Sequence, residues 1–232
     1  MKDPMPTLLP RIELVSSPNP TAAVIWLHGL GADGNDFAGL VPELDLRDCP
    51  PIRFVFPHAP SIPVTMNAGY VMPAWYDIPD LNRMEHQDAE GIQKSEQSIR
   101  DLIDNEVVRG ISFDRIVLAG FSQGSAMALH TGLRLARPLA GIIALSGYLP
   151  LADRFAAERH AASATTPIFM AHGTNDPVVV ASRGESARNA LIALGHPVQW
   201  HSYPMEHSLH PREIADISAF LAHVLGHSER GD

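Results

Sequence analysis

An α/β fold with a mostly parallel central sheet and helices on both of its faces is what this sequence predicts, on three observations. Six short runs of apolar, β-favouring residues recur along the chain, at Ala22–Leu27, Arg53–Phe56, Ile116–Ala119, Gly141–Leu145, Ile168–Ala171 and Val198–Tyr203. Runs this apolar fit strands covered on both faces, and the helical patterns between them fit parallel crossovers. The chain has 232 residues, 45% of them apolar, enough for one sizeable domain spanning residues 1–232 but with little room for a large lid domain.

In chain order, the N-terminus MKDPMPTLLPRIELV mixes charges and prolines without an apolar signal-peptide core. Nowhere do ~18 uncharged apolar residues run together, so stable membrane insertion is not expected. The run Ala22–Leu27 leads into a glycine-rich turn, His28–Gly34, and Arg53–Phe56 leads into Pro57–Pro60. Ser61–Arg83 follows, with Pro63, Pro73 and Pro79 and no sustained period. It reads as a long loop, and loops of that length in compact domains usually serve a function or are disordered. Asp88–Val108 then sets Ile92, Ile99, Leu102, Ile103 and Val107 on one helical stripe. Arg212–Leu225 does the same with Ile214, Ile217, Leu221 and Val224, after Pro211 at a first helical position. The expected core runs from about residue 22 to 225, without repeat, low-complexity tract or linker.

Between the run Ile116–Ala119 and a helix-like stretch of small residues stands GFSQG, with Ser122 between Gly120 and Gly124. Strand, sharp turn and helix are the context that a G-x-S-x-G nucleophile elbow requires. The glycines keep side chains out of the space where strand and helix nearly collide, and the helix N-terminus favours developing negative charge. Ser122 is therefore the candidate nucleophile.

A serine hydroxyl needs a histidine base oriented by a carboxylate. In the α/β-hydrolase arrangement these follow in the order Ser, Asp, His, each in a loop after a strand. Asp176 comes just after Ile168–Ala171, whereas Asp153 follows a strand that should carry neither partner. His207 follows the last strand and is preferred to His196, His201 and His210 by its place in that order. The oxyanion donors should be the backbone N–H of Gln123, next after the nucleophile, and that of Leu30 in the early glycine turn.

That turn also spells G-x-G-x-x-G at Gly29, Gly31 and Gly34, the dinucleotide fingerprint. No carboxylate stands between Pro50 and Pro60, where the ribose ligand would be needed, so no nicotinamide or flavin is expected. No metal is expected either: H-E-x-x-H is absent, and His207 with His210 gives two ligands at best.

Together HGLGADGNDF, PHAP, WYDI, GFSQGSAMAL, HGTNDPVV and YPMEHS with EIADISAFL resemble the carboxylesterase/acyl-protein thioesterase family of small α/β-hydrolases, over roughly Ala22 to Leu225. The resemblance implies a Ser122, Asp176, His207 triad, an oxyanion hole from Leu30 and Gln123, and cofactor-free hydrolysis of esters or thioesters. It also implies that Ser61–Arg83 lies beside the site and takes the acyl chain. The apolar residues of that loop, Met72, Trp75 and Ile78 among them, either line an acyl groove together with Leu30 or tuck the loop against the core, Trp75 being the first candidate for core packing. One residue departs from the family pattern: Glu206 precedes the base where many members carry glycine.

Composition narrows the partners. A net charge of −9 without a clustered basic stripe opposes nucleic-acid binding. The single cysteine, Cys49, cannot form an internal disulfide, which fits a cytoplasmic protein. The expected partner is a small-molecule or acylated-protein ester or thioester; a homodimer is permitted but not specified. A lysophospholipase or lipase would use the same triad, and a non-catalytic binding protein on this fold should have lost one of its members. The dienelactone hydrolases would place a cysteine at the elbow, where this chain has Ser122.

Overall fold

The computed structural model describes residues 8–80 and 87–226. Among these, the chain runs through β1 (Arg11–Val15), β2 (Ala22–Leu27), α1 (Asn35–Ala38), β3 (Ile52–Pro57), β4 (Ser61–Val64), β5 (Tyr70–Pro73) and α2 (Ala89–Val108). It continues through β6 (Ile116–Phe121), α3 (Gln123–Gly132), β7 (Gly141–Leu145), α4 (Ala152–Glu158), β8 (Ile168–Gly173), α5 (Ala181–Ala193), β9 (Val198–Tyr203) and α6 (Pro211–Leu225). Seven strands form one sheet in the order β1, β3, β2, β6, β7, β8, β9, and every pairing but that of β1 is parallel.

Alternate residues of each strand feed two apolar layers, because successive side chains leave opposite faces of a sheet. Ile25, Leu27 and Leu118 join Ile92, Ile99, Met127, Leu129 and Leu191 from α2, α3 and α5. Val24, Trp26 and Val117 join Phe37 of α1 and Ile217, Phe220 and Leu221 of α6 on the other face. The two helical stripes read from the sequence are thus core-facing, with Val107, Ile214 and Val224 at their half-buried margins. Asp88 caps α2 by accepting from the Gly91 N–H, and Pro211 opens α6.

Three expectations need correction. Val198–Tyr203 is a strand but is not covered on both faces: β9 is the sheet edge, pairs with β8, and leaves Gln199 and Ser202 exposed. An edge strand at the margin of its flanking helices needs apolar side chains at fewer positions. Second, β1 adds an antiparallel strand at the opposite edge, where RIELV is too short and polar to stand out. Third, Ser61–Arg83 is not a structureless loop, since β4 and β5 pair antiparallel with Ile62 opposite Met72. Pro63 and Pro73 hid this hairpin, although a two-stranded ribbon has free edges that tolerate proline. Residues 81–83 of that stretch lie outside the described residues.

Candidate active site

The C-terminal ends of β2, β6, β8 and β9 bring the candidate residues to one end of the sheet, the usual position for ligands on open parallel sheets. Ser122 joins β6 directly to α3 at φ 54° and ψ −117°. Backbone of this kind costs a non-glycine residue about 1–3 kcal/mol and survives only where its surroundings impose it. Here the Ser122 N–H donates to the Leu145 carbonyl, 2.8 Å away. A Cβ on Gly120 would run into the Gly124 carbonyl, and one on Gly124 would run into the carbonyls of Leu27 and His28. The two glycines are thus demanded by close backbone approach.

Asp176 follows β8 and His207 follows β9, and the His207 Nδ1 lies 2.6 Å from Asp176 Oδ2. The other carboxylate oxygen, Oδ1, accepts from the Val178 and Val179 N–H groups at 2.8 and 2.9 Å. The buried carboxylate is therefore fixed on both oxygens, and an ionised carboxylate can only accept, so Nδ1 carries the imidazole proton. That leaves Nε2 as the basic nitrogen of His207. The ring is further held by Phe121, its centroid 4.7 Å away. Exposed Glu206 offers its carbonyl to the Ser208 N–H.

Gly29 approaches Ser122 closely, and a Cβ built there would stand 3.4 Å from the Ser122 Cβ. His28 stiffens this turn. Its Nε2 accepts from the Ala59 N–H at 3.0 Å, so its Nδ1 is the protonated nitrogen and donates to the Gly29 carbonyl at 2.7 Å. Burial lowers the His28 pKa and keeps the ring neutral. The backbone N–H groups of Leu30 and Gln123 find no acceptor among the described residues, as the first N–H of a helix and a turn amide facing a ligand would.

A cavity of about 260 Å³ joins these groups, lined by Ser122, Gln123 and His207 and walled by Leu30, Met66, Ile78, Phe121, Tyr148 and Val179. Of the four side chains assigned to an acyl groove, Leu30 and Ile78 line it and Met72 and Trp75 do not. Trp75 is 2% exposed and donates from Nε1 to the His28 carbonyl at 2.9 Å. Its large ring belongs to the core, and among the methionines of this segment it is Met66 that walls the cavity.

The other candidates are used elsewhere: Asp153 is exposed in the first turn of α4, and His210 caps α6. His201 faces Asp216 from β9, 3.7 Å away, and His196 is buried beside Phe155. Three contributions escaped the sequence. Gln123 accepts from the Trp75 N–H at 2.9 Å and donates to the Tyr76 carbonyl at 2.7 Å, tying the elbow to the segment after the hairpin. His172 donates to the Val179 carbonyl at 2.7 Å and so steadies the loop around Asp176. Tyr148 walls the cavity; its place just past β7, at the ligand-bearing end of the sheet, was the signal that could have found it.

Residues 11–225 match the phospholipase/carboxylesterase model of the α/β-hydrolases. The chain belongs to this family. It is 44% identical over 214 residues to acyl-protein thioesterase 1 of Neurospora crassa, covering 88% of this chain and 87% of that one. It is 41% identical over 210 residues to the protein of the same name in Gibberella zeae, covering 87% and 89%. The structure of Zea mays acyl-protein thioesterase 2 superposes with a TM-score of 0.82 at 30% identity, over 93% of this chain and 99% of that one. The family member described here is accordingly a serine hydrolase of ester or thioester bonds. Among the described residues no helix is long and apolar enough to cross a membrane.

Proposed function

We propose that this cytoplasmic hydrolase cleaves acyl esters and acyl thioesters, acylated proteins among them, through an acyl-enzyme on Ser122. The observation that carries the reading is the 2.6 Å contact of His207 with the doubly anchored Asp176, in a cavity that Ser122 also lines. His207 Nε2 takes the Ser122 proton as Oγ attacks the acyl carbon, and the N–H groups of Leu30 and Gln123 receive the negative oxygen. Collapse expels the alcohol or thiol, which leaves with the proton from His207. Water, deprotonated by the same nitrogen, then releases the carboxylic acid and restores the serine. A pair of N–H donors and one base suffice for every step, and the leaving group can be oxygen or sulfur.

A serine-directed phosphonate tests this. It should label Ser122 stoichiometrically, and Ser122→Ala should abolish both labelling and turnover of butyryl ester and butyryl thioester substrates. An adduct mapped to any other residue overturns the assignment.

A further inference from the structure

A second cavity, of about 530 Å³, lies between the segment after β7 and helix α5. Leu149, Leu151, Ala187 and Ala190 give it apolar walls, with Arg154 and Arg183 among its polar lining. It contains none of the groups assigned to the chemistry. Among the described residues it shares one wall with the cavity at Ser122, and that wall is Tyr148.

Tyr148 is not free to move aside. It is 5% exposed, and its hydroxyl sits 2.6 Å from that of Tyr76, which is 1% exposed. The Tyr76 carbonyl is in turn held by the Gln123 side chain at 2.7 Å. A short chain of hydrogen bonds therefore fixes the Tyr148 ring relative to the nucleophile turn itself. Burial pushes both phenols above their ordinary range, so both hydroxyls stay protonated and the bond between them persists at any working pH.

We propose that Tyr148 is a partition that sets the longest acyl chain this enzyme accepts, by closing the cavity at Ser122 off from the larger one. The inference rests on the ester and thioester hydrolase reading above. At about 30 Å³ for a water-sized group, the 260 Å³ cavity holds about nine such groups, enough for a medium-length chain and little more. A longer chain has to leave its end in water, so further methylenes add nothing. Opening the partition would give them an apolar wall to bury against.

The test is kcat/KM on p-nitrophenyl esters graded from four to sixteen carbons, read within each variant as the ratio of the tetradecanoyl to the octanoyl ester. Wild type should plateau near eight carbons. Tyr148→Ala should raise the ratio by ~tenfold or more, since each newly buried methylene strengthens binding. Tyr76→Phe touches neither cavity wall but unties the Tyr148 hydroxyl, and it should shift the ratio in the same direction by less. Adding Ala190→Trp to Tyr148→Ala should fill the far cavity and return the ratio to the wild-type value. A ratio unchanged in both Tyr148→Ala and Tyr76→Phe, with melting curves showing folded protein, overturns the partition while leaving the hydrolase reading intact. A ratio that rises in Tyr148→Ala but resists Ala190→Trp also overturns it, because the gain then does not come from the second cavity. Failure of wild type to cleave any ester would instead remove the hydrolase reading.

Discussion

Replacing Asp176 by Asn changes one atom and should disable the enzyme while leaving it folded. Both backbone donors at Val178 and Val179 aim at Oδ1, so an amide at this position keeps its oxygen there. Its NH2 group then faces His207 Nδ1, which must accept instead of donate, and the ring proton moves to Nε2. An imidazole protonated at Nε2 cannot take a proton from Ser122. Regaining the active tautomer means turning the amide over and setting NH2 against two N–H donors, at about 1–3 kcal/mol for each unsatisfied group. Those two costs sum to roughly 2–6 kcal/mol, or about 30- to 10⁴-fold at 1.36 kcal/mol per tenfold. Loss of the negative charge that stabilises the imidazolium adds to this, so kcat on a butyryl ester at pH 8 should fall by about 10³–10⁴, the upper value being that of the same change in a serine protease. Melting followed by circular dichroism should show a folded protein, and the control Asp153→Asn should keep its rate. Equal rates for wild type and Asp176→Asn, or a matching loss in Asp153→Asn, would refute the assignment of the carboxylate.

Two further outcomes are expected. Glu213 is fully buried and, chiefly through that burial, ionises only at about 7, raised from 4.5, whereas the unfolded chain sheds the same proton near 4.5. The native state therefore binds the extra proton between those values and wild-type stability falls as pH rises through that window, by about 3 kcal/mol in all. Glu213→Gln, which can still accept from the His210 N–H, should match wild type at pH 4 and melt several degrees higher at pH 8; a pH-independent difference would show that the carboxyl titrates normally. Gly124→Ala drives a methyl into the carbonyls of Leu27 and His28, and because both belong to fixed backbone it should cost about 1–3 kcal/mol and most of the activity. A variant with normal melting and normal kcat would show that the elbow can widen.

What the sequence made legible was what depends on local pattern. Gly120, Ser122 and Gly124 announce the elbow because three residues carry the whole geometry of a tight turn. Asp176 and His207 were picked out by their order after strands, since a parallel sheet delivers its loops to one end in a fixed sequence, and the structure brings the two within 2.6 Å. The side chains that wall the cavity were harder, because an apolar residue in a loop looks the same whether it faces the core or a ligand. Trp75 and Met72 left both readings open for that reason, and only packing separates them from Met66 and Ile78. The hairpin was hidden by Pro63 and Pro73, which count against a strand in any window that cannot see that the strand has a free edge. Gln123 was assigned for its N–H alone, because nothing local says that its amide will meet residues 75 and 76 from far along the chain.

The Gln123 amide addresses only main-chain atoms: the N–H of Trp75 and the C=O of Tyr76. Any amino acid except proline at position 75 supplies that donor, and any residue at 76 supplies that acceptor. The attachment is consequently indifferent to the spelling of the ribbon that precedes it, so with buried Val64 and the Met72 contact at Gly31 kept, the exposed positions of β4, β5 and their turn can be rewritten without disturbing Ser122. Libraries confined to those positions within residues 61–73 should thus yield variants that differ in which acyl chains they prefer while sharing one intrinsic rate of acetyl transfer to water.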